Sequence, residues 1–166
     1  MSDLAGPVGA LVIERIFDAP VEAVWALWTD PEQFAAWYGP NGASIPMADL
    51  DVRIGGLRRV CLEVQTPNGP MSLWFTGEYR EIVDNRRLVY TESMSDEDGR
   101  ILAPSDLGMS HDHPRVTEVV VELDDLDGRT RMTLTHRGVP ADSPGATGWA
   151  MALDKLATLI TTRNQD

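Results

Sequence analysis

The sequence predicts an α+β fold in which a long C-terminal helix packs on one antiparallel sheet. The helix is predicted over residues 142–163, where apolar side chains recur at three- and four-residue steps and cover about half of the circumference. Ser143 is a typical N-cap, and Pro144 suits the first helical position, where no N–H is needed. The sheet is predicted from short segments of alternating apolar and polar residues, separated by Gly, Pro, Asn and Asp. A helix with so broad an apolar face needs such a sheet to cover it.

The N-terminal part predicts one strand followed by two short helices. Residues 10–17 are apolar on both faces, which indicates a strand covered on both sides. Residues 18–20, Asp-Ala-Pro, end this strand. Helices are predicted at 21–28 and 31–37. Each is too short to be stable alone, so both are expected to dock on the rest of the protein.

Six further strands are predicted at residues 44–52, 59–66, 71–82, 88–92, 116–123 and 130–136. Pro46 favours an edge position for the first of them, because proline cannot donate to a neighbouring strand. Asp127-Gly128 predicts a hairpin between the last two. If this hairpin pairs Leu123 with Thr130, then Thr117 faces His136; a shift by one opposing pair changes the partners but keeps the same residues on one face.

Composition excludes two classes of partner and indicates a compartment. The 166 residues fit a single domain over 1–166, with a core at about 10–163, and carry a formal net charge of −12. Nucleic acids and anionic membranes bind clustered Lys and Arg, so neither is expected as a partner. The single cysteine, Cys61, forms no internal disulfide and fits a reducing compartment. With no apolar run of roughly 20 residues and no signal sequence, the sequence predicts a cytoplasmic protein.

An ordered set of motifs resembles the activator-of-Hsp90-ATPase-like branch of the START/Bet v 1-like superfamily. The resemblance covers nearly all of residues 11–160 and lies in the ordered set, since no single motif is decisive. Its motifs are FDAPVEAVW at 17–25, WTDPE at 28–32, WYGP at 37–40, GG at 55–56, RLVY at 87–90, TRMTL at 130–134, GW at 148–149 and LDKL at 153–156.

This resemblance implies a helix-grip fold, in which a curved seven-stranded antiparallel sheet wraps around the C-terminal helix and leaves a cavity between them. It does not imply one activity. The superfamily includes co-chaperones, lipid and hormone binders, aromatases and cyclases, and resistance proteins, so function has to be argued from the site itself.

Strand pairing predicts a polar row at one rim of that cavity, formed by Glu92, Thr117 and His136. Glu92 ends its strand where antiparallel geometry places it beside Thr117, and His136 closes an otherwise apolar face. A carboxylate near a histidine in an apolar pocket can act as general acid and base, or it can orient the polar end of a ligand. The ordinary alternative is that both side chains point into solvent at fraying strand ends.

Large side chains are predicted to complete the ligand site. In addition to the polar row, the expected contacts are Trp37, Phe75, Tyr90, Met109, Trp149 and Leu153. The alternative for such apolar residues is ordinary core packing, which is the more frequent role. If Tyr90 is buried, its hydroxyl needs a hydrogen-bond partner, and either a ligand or Glu92 would provide one.

The segment 94–115 is longer than a hairpin connection requires. It is interpreted either as a lid over the cavity, which brings Met109 near the ligand, or as a solvated insertion. His111 and His113 flank Asp112, but a His-x-His pattern without a third ligand at a recognisable spacing is a weak metal signal. No metal site is predicted.

Three function classes follow. The preferred one is a binder of a mostly apolar small molecule, such as an aromatic, polyketide-like or lipid-like compound. The second is an enzyme of the cyclase, dehydratase or hydrolase type, with Glu92, His136 or Tyr90 as acid–base groups and no cofactor. The third, suggested by the resemblance alone, is a chaperone-associated protein. Met151 falls on the polar side of the long helix, so it is exposed or covered by a loop or a partner, and a homodimer is one such partner.

Overall fold

The computed structural model describes residues 10–103, 114–139, 141 and 143–164. Seven strands and three helices are described there. The strands are β1 Ala10–Phe17, β2 Ser44–Leu50, β3 Leu57–Thr66, β4 Gly69–Val83, β5 Arg87–Ser95, β6 Thr117–Asp125 and β7 Thr130–Arg137. The helices are α1 Val21–Thr29, α2 Pro31–Ala35 and α3 Pro144–Asn164. None of the described helices is long and apolar enough to cross a membrane.

All seven strands form one antiparallel sheet in the order β1-β7-β6-β5-β4-β3-β2. The predicted α+β class, the strand, two helices, six strands and long helix are therefore confirmed. The apolar stripe of α3 shares one buried core with the inward side chains of the sheet, which is the helix-grip arrangement. Leu153 and Leu156 in this stripe are fully buried.

The two short helices are held by their caps and by aromatic burial. The Asp30 side chain accepts hydrogen bonds from the backbone N–H groups of Glu32 and Gln33, and Pro31 occupies the first turn of α2. Trp28 and Trp37 are buried, and their ring centroids lie 4.8 Å apart. Docking on the core thus stabilises helices that their length alone would not.

The two edge strands, β2 and β1, include one confirmed and one wrong prediction. Pro46 lies in β2, an edge strand with an irregular register between Ser44 and Met47, as proline in a strand requires. The prediction that β1 is covered on both faces is wrong. Val12 and Ile16 on its outer face are 61% and 47% exposed, because no described element lies over that face.

The predicted β6–β7 register is wrong by one opposing pair. His136 faces Val119 rather than Thr117, and Asp125 faces Thr130. The hairpin is tighter than predicted, because Asp127 and Gly128 both have positive φ and Leu126 N–H donates to the Arg129 carbonyl. The predicted alternative, a shift by one pair that keeps the same faces, is what the structure shows.

Three further expectations concern the end of β5, the N-cap of α3 and the surroundings of Met151. Strand β5 continues to Ser95 instead of ending at Glu92, because its last residues pair with β4. The backbone N–H of Ala146 lies 3.4 Å from the Ser143 hydroxyl oxygen, which confirms the predicted N-cap. Met151 is partly covered by a loop, since its sulfur accepts from the backbone N–H of Asn41.

Candidate functional site

A cavity of about 600 Å³ lies between the sheet and the first half of α3. Its walls come from β3 to β7, from the residues that follow α2, and from one side of α3. Leu62, Leu73 and Phe75 give it an apolar wall on the sheet side, and Ala152 continues that surface on the helix.

Five of the predicted ligand contacts line this cavity: Phe75, Glu92, Thr117, His136 and Trp149. The polar row of Glu92, Thr117 and His136 is therefore brought together, although the hairpin register that suggested it is not the observed one. Glu92 faces Thr117 across β5 and β6, as predicted. Glu92 and His136 are only 8% and 5% exposed, so they do not point into bulk solvent.

Other predicted contacts lie behind the wall or outside the described residues. Trp37 and Leu153 are fully buried in the core and do not line the cavity. Tyr90 is also buried behind the cavity wall. Among the described residues its hydroxyl has no hydrogen-bond partner, so the suggestion that Glu92 provides one is wrong. Met109, like His111 and His113, falls outside the described residues.

Hydrogen bonds fix the tautomer of His136. The indole N–H of Trp149 donates to Nδ1 of His136 over 2.9 Å, so Nδ1 carries no proton. The neutral ring therefore carries its proton on Nε2, which lies 2.8 Å from Oγ1 of Thr117 and donates to it. The Thr117 hydroxyl in turn donates to the Glu92 carbonyl oxygen over 3.0 Å. In this series of hydrogen bonds, both ring nitrogens of His136 have protein partners.

The stability of the protein is expected to fall as the pH drops below the ordinary pKa of histidine. Burial lowers the pKa of His136, so the unfolded state binds a proton at a pH where the folded state does not. The contribution is fully present above pH 6.5, the ordinary value, and is lost progressively as the pH falls towards the folded-state pKa. Urea unfolding of the wild type and of His136→Gln from pH 8 to pH 5 checks this. Equal pH dependence of the two proteins would contradict it.

A buried charge pair, missed by the sequence prediction, adjoins the polar row. Nη1 of Arg58 lies 3.5 Å from Oε2 of Glu92, and the Arg58 side chain is 2% exposed. The hydroxyl of Tyr38 donates to the same Oε2 over 3.2 Å. Burial, followed by the Glu92 charge, raises the pKa of the Tyr38 phenol well above its usual value, so this group remains a hydrogen-bond donor.

Aromatic rings hold the Arg58 guanidinium in place. Its Cζ lies 3.8 Å from the ring centroid of Tyr90 and 5.3 Å from that of Phe34. Burial alone would lower the pKa of Arg58, but the nearby phenols of Tyr90 and Tyr79 and the Glu92 charge outweigh it and raise that pKa. Arg58 thus stays charged and balances Glu92. Tyr90, predicted as a ligand contact, instead supports this pair from behind.

The alternation of side chains along β3 could have identified Arg58 as an inward-facing residue. Val60, Leu62 and Val64 alternate with other residues along β3 and lie on its inner face, and Arg58 has the same parity. The predicted strand began at residue 59, so Arg58 was left outside it, whereas β3 begins at Leu57. For Tyr38 no comparable periodic signal exists, because it follows the end of α2.

The described residues contain no group of three or more His, Cys, Asp or Glu side chains arranged to hold a metal ion. The described polar groups at this end of the cavity are one carboxylate balanced by one guanidinium, a phenol and a neutral imidazole. Such a set can accept or donate hydrogen bonds at one end of an apolar space.

The fold is similar to that of several solved bacterial proteins. The AHSA1 protein from Silicibacter pomeroyi is 22% identical, with 93% of this chain and 99% of that chain covered and a TM-score of 0.70. A protein from Nitrosomonas europaea is 24% identical, with coverage of 93% and 95% and a TM-score of 0.72. A protein from Staphylococcus epidermidis is 20% identical, with coverage of 94% and 92% and a TM-score of 0.72. These identities establish the fold alone.

No curated protein matches the chain. Family membership comes from a sequence model described as "Activator of Hsp90 ATPase homolog 1-like protein", which matches residues 18–161. That range runs from the end of β1 to the last turns of α3, and it includes every described residue named above at the polar end of the cavity. The chain therefore belongs to the Activator of Hsp90 ATPase homolog 1-like family.

Proposed function

We propose that the protein binds a mostly apolar small molecule in the cavity between the sheet and α3. The observation that carries this proposal is a space of about 600 Å³, in the range of ligand sites, with apolar walls and polar groups gathered at one place. Close packing normally fills the space between a helix and a sheet, so an apolar space of this size supports a ligand site.

The polar end supports binding more directly than catalysis. Both ring nitrogens of His136 are engaged by Trp149 and Thr117, so neither is free to transfer a proton to a ligand in this arrangement. Tyr90, the second acid–base candidate, does not line the cavity. Glu92 alone among the three presents a reactive group to the cavity, and a single carboxylate serves well to orient a ligand.

Filling the cavity at Gly148 is expected to weaken ligand binding at least tenfold without loss of stability. Gly148 lines the cavity within α3, and a methyl group placed on it would meet no atom of the described residues within 4 Å. In Gly148→Phe the ring would occupy ligand space, and the affinity for the neutral apolar fluorophore N-phenyl-1-naphthylamine should fall at least tenfold. Replacing an interior helical glycine should also raise the free energy of unfolding by up to about 1 kcal/mol.

Gly148→Ala is the matched control, because it also replaces the helical glycine but adds only a methyl group. It should bind the fluorophore nearly as the wild type does. Equal binding by the wild type, Gly148→Ala and Gly148→Phe would show that the fluorophore binds elsewhere, and the proposed function would then be wrong. Absence of binding to the wild type would count against it equally.

A further inference from the structure

Two charged side chains belong to the described lining of the cavity, Glu92 and Arg115. Glu92 is buried, and the guanidinium of Arg58 behind the wall balances its charge. Arg115 differs in both respects. It is exposed, and no carboxylate of the described residues lies within ion-pair distance of it. The lining therefore has one positive charge that the described protein groups do not balance.

Arg115 lies at the mouth of the cavity, beside Thr117 of the polar row. A Cβ atom built on Gly138 would lie 3.1 Å from Cγ of Pro114 and 2.9 Å from Cγ2 of Thr117. The segment 114–117 thus packs against Gly138, and both belong to the cavity lining. Because Arg115 lines the cavity and is also exposed, it lies where the ligand space meets solvent.

The remainder of the lining restricts the rest of the ligand. Leu62, Leu73 and Phe75 form an apolar wall, so a molecule that fills the cavity has an apolar body. A molecule that also reaches Arg115 extends to the mouth, where a charged group retains part of its hydration. The desolvation cost that would exclude a charge from the apolar interior is therefore small at this position.

The charge of Arg115 selects the sign of the head group. A guanidinium presents N–H donors in a planar fork that matches a carboxylate or another oxyanion, whereas it repels a cation. The formal net charge of −12 acts mainly at longer range, because salt screens exposed charges beyond roughly 10 Å. At the mouth itself, Arg115 and the Arg58–Glu92 pair sum to one positive charge.

We infer that Arg115 binds the head group of the ligand at the mouth of the cavity, and that the preferred ligand is an amphipathic oxyanion, an apolar body ending in a carboxylate or a similar group. This inference rests on the proposed function and adds the class of ligand. An arginine that is only solvated at this position would give no preference among head groups.

Three probes that share a naphthalene body test this preference at pH 7 by isothermal titration calorimetry: anionic 2-naphthoate, neutral 2-naphthamide and cationic 2-naphthylmethylamine. At low ionic strength 2-naphthoate should bind roughly fivefold tighter than 2-naphthamide, the effect of an ion pair at an exposed mouth, and the cation should bind most weakly. Salt at about 0.5 M should reduce the preference. Equal affinities for the anion and the amide, or tighter binding of the amide or the cation, would overturn the inference.

Arg115→Gln assigns the preference to this residue. Without the charge, 2-naphthoate and 2-naphthamide should bind with affinities within about twofold of each other, since only neutral hydrogen bonds remain. Arg86→Gln is the matched control, because it removes the same charge at an exposed position between β4 and β5, outside the cavity lining. It should leave the preference unchanged. Full preference in Arg115→Gln, or an equal loss in both variants, would show that Arg115 does not bind the head group.

Gly148→Phe tests whether the anion is bound by the cavity. It should weaken the binding of 2-naphthoate as it weakens that of the fluorophore, because both need the space that the ring fills. Unchanged binding of 2-naphthoate would place the anion outside the cavity and refute the inference. The fluorophore is neutral, so its binding does not depend on Arg115. If the cavity binds the fluorophore without preferring 2-naphthoate to 2-naphthamide, the inference is wrong and the proposed function stands.

Discussion

Replacing Arg58 by methionine is expected to lower the free energy of unfolding by about 3 to 5 kcal/mol, the usual cost of breaking a buried ion pair by removing one partner. Methionine keeps much of the volume, so the loss is mainly electrostatic. The Glu92 carboxylate, 3.5 Å from Nη1 of Arg58 and 8% exposed, would remain buried without its counter-charge. The stacking of the guanidinium on Tyr90 would also be lost. Urea unfolding at pH 7 measures the change.

Two further variants separate charge balance from simple packing. Arg80→Met on β4 removes an exposed arginine whose Nε lies 3.9 Å from Oε1 of Glu78, and should change the free energy of unfolding by less than about 0.5 kcal/mol. Adding Glu92→Gln to Arg58→Met should restore part of the lost stability, because no unpaired charge remains. A double variant that is less stable than Arg58→Met alone would contradict the charge-balance explanation.

Val64 and Arg58 show which inward-facing residues of β3 can be predicted from the sequence and which cannot. Alternation placed the apolar residues of β3 on the inner face, because burying apolar area is the dominant energy in a sheet. Arg58 occupies the same face against that rule, since Glu92 and the ring of Tyr90 offset its desolvation. Such compensation joins residues from β3 and β5, and no local pattern in the sequence records it.

The polar row illustrates the same limit in another way. The faces of β6 and β7 follow from alternation, so Thr117 and His136 were predicted to lie near each other despite the wrong register. Register itself depends on the turn at Asp127 and Gly128, where the polar Asp124 and Asp125 extend β6 at an exposed hairpin end. Periodicity thus predicts faces well, while turn geometry determines which residues oppose each other.

Replacing Trp149 by alanine is expected to lower the free energy of unfolding by about 3 kcal/mol, the low end of the range for buried tryptophan. One side of the ring already faces the cavity, which limits the packing that is lost. The other side contacts Trp28 and Tyr38, with ring centroids 5.9 and 5.7 Å away. Thr158→Ala, on the exposed side of the same helix, should cost less than about 0.5 kcal/mol.

Trp149→Phe separates the hydrogen bond to His136 from the packing. Phenylalanine keeps an aromatic ring but removes the indole N–H, so Nδ1 of His136 loses its donor and the free energy of unfolding should fall by about 1 to 3 kcal/mol. Because that donor stabilises the neutral imidazole, its removal should also raise the pKa of His136 towards the ordinary value. NMR titration of the His136 ring measures this shift, which a purely steric role of Trp149 would not predict. An unchanged pKa of His136 would mean that burial alone keeps the ring neutral and that Trp149 serves the site only as an apolar wall.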